Sequence, residues 1–174
     1  MVAKVIMSMQ NDEERTELPL QLFEKLKRIS APTIIHFYGF SPVNFSGEIR
    51  MTFLVSYAPH GPLSEVITDE SHGRCPMEYD ATKKQIILCG IAHGMMILHS
   101  HDIFHGYLTT QNVLLDENYN PLITCFSVAK TVDPFNQLNL TGSLDHLYTA
   151  PEIFVDENYG LEADVFHSVY LCLK

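Results

Sequence analysis

The side chains that could do chemistry gather at 103–116, IFHGYLTTQNVLLD. His105, Tyr107, Thr109 and Asn112 share one polar loop there. An apolar strand is expected before the loop, and a second one, ending in Asp116, after it. A loop gripped by two short strands is a place where a site can be held rigidly. The plainer alternative is that Asn112 only makes a turn. Histidine is abundant, nine in all, and His93, His99, His101 and His105 invite a metal. No H-x-x-x-H pair with a nearby acid on one helical face appears, so the pattern does not predict a metal centre. Cys75, Cys89, Cys125 and Cys172 are scattered without a C-x-x-C pair, as expected of reduced thiols in a cytoplasmic protein.

Composition narrows the classes. The 174 residues are 46% hydrophobic and 18% charged, enough for a single globular domain with a sizeable core. A net charge of −10 argues against nucleic acid and against an anionic membrane surface. The longest apolar run, 86–92, is far too short to span a bilayer. The N-terminus turns acidic too soon for a signal peptide, so the N-x-[ST] matches at Asn44 and Asn139 carry no weight.

Several elements must position the loop. A β-branched run at 2–7 predicts a strand with Lys4 in its middle. Leu22, Phe23, Leu26 and Ile29 recur at helical spacing after Pro19 and predict a helix over 19–29. Strands are expected at 33–40 and 49–57, with a turn over 42–47. Pro59, Gly61 and Pro62 then mark a candidate hinge. A short helical piece is expected at 63–68 and a polar loop at 69–76. The longest helix is expected over 80–100. Its stripe is Ile87, Ile91, Met95 and Leu98, with Gly90 and Gly94 on the same side. Each Gly weakens the helix by about 1 kcal/mol, so close packing against a neighbour is expected there. A turn at 118–121, a strand at 122–124, an exposed loop at 131–147, a short helix from Ala150 and an apolar helix from Glu162 complete the order.

This order resembles a protein kinase domain, and several short motifs fall on it in sequence. The loop is similar to His-Arg-Asp-Leu-x-x-x-x-Asn: His105, Leu108 and Asn112 match. Gly106 stands at the Arg, Tyr107 at the Asp and Thr109 at the usual Lys. Val2-Ala3-Lys4 resembles the V-A-I-K strand. Thr124-Cys125-Phe126-Ser127 stands where D-F-G would, with Phe126 alone retained. Ala150-Pro151-Glu152 matches A-P-E, and Asp164 resembles the Asp that braces the loop from below. The implied fold is α+β and two-lobed, truncated at both ends. Residues 1–57 would be the remnant of the small β-rich lobe and 58–174 part of the helical large lobe, as one domain.

The resemblance also implies roles. Lys4 would reach the phosphates of ATP, unless it is simply an exposed strand lysine. Val55 would be the gatekeeper, and Ser56, Tyr57 and Ala58 the hinge that holds adenine. Counting back from Pro32 puts Leu22 where the ion-pair partner of the Lys belongs; Glu24 or Glu17 would serve only in another helix register. Asn112 is the sole matching Mg²⁺ ligand, because Cys125 is a poor donor to a hard cation. Tyr107, with a reference pKa of about 10, is a poor base near neutral pH. The expectation is a catalytically inactive, pseudokinase-like binding or regulatory module with at most weak ATP binding, doubtful Mg²⁺ and protein partners, acting in the cytoplasm. Two alternatives stay open: an active Ser/Thr kinase, and a non-autonomous fragment of a longer kinase gene. In the second case Glu152 would lack its Arg partner, and apolar surface would be bared at 165–173.

Overall fold

The computed structural model describes residues 2–6, 24–43, 46–47, 49–74, 79–106, 108–124, 150–151 and 160–172. Three strands, β1 (Val2–Ile6), β2 (Phe37–Val43) and β3 (Ile49–Ser56), form an antiparallel sheet in the order β1-β3-β2. Helices α1 (Leu63–Ser71) and α2 (Ala81–Ser100) follow. A second, two-stranded sheet pairs β4 (Val113–Leu115) with β5 (Pro121–Ile123), and α3 (Leu161–Cys172) closes the described chain. The class is α+β, as the sequence implies. Of the helix expected over 19–29, residues 24–26 are helical and the part before them lies outside the described residues.

The sheet residues alternate as a half-buried sheet requires. Phe37, Phe53 and Val55 are buried on one face, while Leu54 and Ser56 are only partly covered on the other. The ring of Phe37 meets that of Phe53 edge-on, with centroids 6.1 Å apart. The strand expected over 33–40 is displaced along the chain. Residues 33–35 leave the sheet and run beside β5: Ile123 N–H donates to the Thr33 carbonyl at 2.9 Å, and Ile35 N–H to the Ile123 carbonyl at 3.0 Å. β2 therefore starts later and continues through Pro42, where a turn was expected, with bulges in its register at Phe37–Gly39 and Ser41–Val43.

Helix α2 has the bounds its pattern implies. Asp80 caps it by accepting the Lys83 N–H at 2.8 Å. Ile87, Ile91, Met95 and Leu98 are buried. Gly90 and Gly94 are the points of closest approach. A Cβ at 90 would lie 2.4 Å from Pro121 Cγ, and one at 94 would lie 2.6 Å from Ile123 Cδ1 and 3.1 Å from the Thr33 carbonyl oxygen. Two glycines thus let α2 lie directly on β5 and residue 33. The helix ends where Asp102 takes a positive φ of 53° and the Ile103 N–H turns back to the Leu98 carbonyl at 3.0 Å. Residues 103–106 are consequently irregular and not the strand expected there.

One hydrophobic cluster runs through the molecule, from Phe53 and Val55 through Ile91 and Leu98 to Leu108, Val113 and Ile123. A smaller one joins Phe104 to Ala150 and Ala163, with Leu161 packed against it.

Candidate functional site

The loop at 105–112 is built from three directions. From below, α3 presents Asp164, which is fully buried. Its Oδ2 accepts the His105 N–H at 2.8 Å and its Oδ1 accepts the Gly106 N–H at 2.8 Å. The same Oδ2 accepts from His99 Nε2 of α2 at 3.0 Å. One carboxylate therefore ties α2 and α3 to two consecutive loop amides, and charge-assisted bonds of this kind are the strong ones. From the side, the fully buried His105 ring donates its Nε2–H to the Thr124 carbonyl at 2.9 Å. From the chain itself, the Asn112 N–H closes a turn on the Thr109 carbonyl at 3.0 Å, and the Asn112 carbonyl accepts the Thr124 N–H at 3.0 Å. His105 and Asn112 thus both meet residue 124, immediately before Cys125.

Burial sets the protonation of His105. Desolvation is the largest cause and pushes the imidazole down to about 4, against the raising pull of the Asp164 carboxylate and the Thr124 carbonyl. The neighbouring His167 and His99 lower it further. The bond to the Thr124 carbonyl requires a proton on Nε2, and the neutral Nε2–H tautomer supplies it. Burial thus favours the neutral ring, and the bonds of His105 to Thr124 and Asp164 hold the loop.

Gly106 occupies a special backbone position. Its φ is +77°, and a Cβ there would lie 2.8 Å from Cε1 of the Phe104 ring. Glycine takes that conformation without strain, whereas any other L side chain would be strained and crowded. Thr109 is buried, Asn112 partly so, and the Leu108 side chain is entirely inside the core. Tyr107, Cys125, Phe126, Ser127 and Glu152 lie outside the described residues.

The connector between the sheet and α1 is stitched down on both sides. Ser56 N–H donates to the His36 carbonyl at 2.9 Å, and Leu115 N–H to the Gly61 carbonyl at 2.9 Å. Gly61 N–H returns to the Ala58 carbonyl at 3.2 Å, with a φ of +65° at Gly61. His60 stacks on Tyr119 with ring centroids 3.7 Å apart. Val55 is buried, Ser56 and Ala58 are partly covered and Tyr57 is exposed. Lys4 stands opposite Leu54 in the β1–β3 register, and Ala3 stands opposite Val55. Glu24 is exposed, and Leu22 and Glu17 lie outside the described residues. Val165 and Phe166 of α3 are exposed, while His167 and Leu171 are buried.

His93, His99 and His101 each make a hydrogen bond within the fold. His99 serves Asp164, His101 Nδ1 donates to the Ile97 carbonyl at 2.9 Å, and His93 meets the Thr33 hydroxyl at 3.2 Å. Among the described residues no group of three His, Cys, Asp or Glu side chains could hold a metal ion. Nor is any helix among them long and apolar enough to cross a membrane. The role of His99 was not visible in the sequence, because its partner lies 65 positions away.

A three-stranded sheet joined by a fixed connector to a helical region, with an α3 carboxylate clamping a His-Gly-x-Leu loop, is the architecture of a kinase-like domain. The family model for protein tyrosine and serine/threonine kinases matches residues 1–171. The chain belongs to the protein kinase family. It is 29% identical over 161 residues to a Dictyostelium discoideum protein named as a probable serine/threonine-protein kinase, covering 90% of this chain and 12% of that protein. It is 34% identical over 123 residues to cysteine-rich receptor-like protein kinase 6 of Oryza sativa subsp. japonica, covering 68% of the chain and 17% of the relative. Dual specificity testis-specific protein kinase 2 of Homo sapiens is 30% identical over 165 residues, 88% of this chain and 26% of the human protein. The chain thus spans between 12% and 26% of these relatives' lengths. Membership implies ATP and Mg²⁺ in general.

Proposed function

We propose that this kinase-family domain works by binding and not by turnover, as a pseudokinase-like regulatory module for a protein partner in the cytoplasm. The observation that carries the reading is the contrast at one loop. The supports are intact: Asp164 holds the His105 and Gly106 amides, and His105 holds Thr124. The chemical positions are changed, with Tyr107 for the base, Thr109 for the phosphate-side Lys and Cys125 for the Mg²⁺ carboxylate.

Phosphoryl transfer depends on positioning and on neutralising the charge that develops on the phosphoryl group. Loss of a general base alone costs roughly 10²–10⁴ in rate. A neutral amide at Asn112 and a thiol at Cys125 do not fit a hard dication that prefers charged oxygen. Base, metal and phosphate clamp therefore fail together, although such losses do not simply add. ATP binding is weak at most, and Mg²⁺ adds little.

The test is transfer of labelled γ-phosphate from ATP to basic protein substrates and to the chain itself, with Mg²⁺ or Mn²⁺. The expected result is no transfer above that of Asn112→Ala. Metal-dependent transfer that Asn112→Ala abolishes would overturn the proposal and identify an active Ser/Thr kinase.

A further inference from the structure

We infer that the exposed basic turn at residues 25–28 is the surface on which this domain docks an acidic, Asp/Glu-rich segment of its protein partner. This rests on the reading that the domain binds a protein partner, and it names that partner's chemistry.

The turn is a fixed platform. Leu26 and Ile29 are 4% and 7% exposed and anchor it in the core. The Arg28 N–H donates to the Lys25 carbonyl at 3.1 Å, and the Ile29 N–H to the Leu26 carbonyl at 3.0 Å. Lys25, Lys27 and Arg28 are exposed between these anchors and beside them. Backbone that is already ordered loses little further freedom when its side chains meet a ligand.

The three cations differ from the others whose side chains the structure describes. Arg74 pairs with Asp69 at 2.9 Å, Lys84 pairs with Glu70, and Lys83 donates to the Asn118 carbonyl at 2.7 Å. The side chains of Lys25, Lys27 and Arg28 have no hydrogen-bond or ion-pair partner among the described residues. Glu24 is exposed one helical turn before Arg28 and does not bridge to it. The end of a helical turn favours a cation, but that field leaves the donors of all three side chains able to take a ligand.

Charge selects the ligand. The chain carries −10, so a long polyanion or an anionic membrane is repelled by most of the surface while it meets only these cations here. A short acidic segment is treated differently, because charges more than about 10 Å away are largely screened at 0.1 M salt. Its carboxylates can be shared among Lys25, Lys27 and Arg28, and the planar fork of Arg28 matches a carboxylate edge. Each exposed pair is weak alone, so the docking needs several contacts and is salt-sensitive.

Fluorescence anisotropy of a labelled oligoglutamate peptide, titrated with the 174-residue chain, tests the inference. Binding is expected with a Kd below about 1 mM at low salt, weakened at least about tenfold in 0.5 M salt. Lys27→Gln with Arg28→Gln is expected to weaken it at least about tenfold. Arg74→Gln with Lys83→Gln makes the same change in net charge at cations that already have acceptors, and is expected to stay within about twofold. Circular dichroism checks that both variants are folded. No binding at millimolar chain, equal losses in the two variants, or tighter binding to phosphatidylserine vesicles than to the peptide would overturn the inference. Such a failure removes this surface alone, because turnover is read separately by the labelled-phosphate assay.

Discussion

Removing the Asp164 carboxylate is the sharpest perturbation of the loop. The group is fully buried and accepts two backbone N–H bonds at 2.8 Å, from His105 and Gly106, and a third from His99 at 3.0 Å. In Asp164→Ala the His99 ring, partly exposed, can turn to water. The two loop amides have less recourse, since His105 is buried and Gly106 partly so. A buried donor left without its acceptor costs about 1–3 kcal/mol, so the pair should cost about 3–5 kcal/mol. Asp164→Asn keeps the shape and one acceptor oxygen but sets an NH₂ against the second amide. It should cost less, about 2 kcal/mol. Domains of this kind are stable by only about 5–15 kcal/mol, so the alanine variant loses a large part of its stability. Urea unfolding measures both, read as a lower midpoint at unchanged slope. A loss below about 1 kcal/mol for Asp164→Ala would refute the view that this carboxylate holds the loop.

Acid should destabilise the domain through His105. Its pKa is about 4 in the folded chain against the ordinary 6.5, so between these values the unfolded chain binds more protons. The contribution is complete above about pH 6.5, falls as pH drops towards 4 and is flat below; its full size is about 3 kcal/mol. Unfolding at a series of pH values should show this slope, reduced in His105→Gln, which keeps a donor for Thr124 while Asp164, His99 and His167 remain. Gly94→Ala should destabilise by about 1–2 kcal/mol, since overpacking against Ile123 and Thr33 exceeds the helical gain of about 1 kcal/mol. Thermal melting should rank it well below Cys89→Ala, at an exposed position of the same helix. His60→Ala should lose about 0.5–1.5 kcal/mol with the Tyr119 stack; an unchanged midpoint would show that the stack is incidental.

Helix α2 was legible because its information is local. The stripe Ile87, Ile91, Met95, Leu98 and the cap Asp80 all lie within one element, and the expected close packing at Gly90 and Gly94 is found against Pro121 and Ile123. The turn before β5 was legible for the same reason: Asp116 accepts from the Asn118 and Asn120 amides. Residues 103–106 were misread as a strand because an apolar run says nothing of Asp102, whose positive φ ends α2 and fixes the exit. Residues 33–35 fall outside β2 because Thr33 and Ile35 bond Ile123, far along the chain, and not the neighbouring strand, which His36 already meets through Ser56. The family resemblance pointed to Asp164, but the tie to His99 and the chemistry of the clustered histidines came only with packing. That Lys4 stands opposite Leu54 and Ala3 opposite Val55 is a property of register, which motif spacing does not specify.

That a rigid loop has outlived its chemistry is tested most directly by hydrogen exchange at the His105 and Gly106 amides, in a preparation that transfers no phosphate. Both amides should exchange only through global unfolding, as slowly as those of the α2 core, and Asp164→Asn should speed the two selectively. Exchange within the time of an exposed loop, unaltered by Asp164→Asn, would contradict the account.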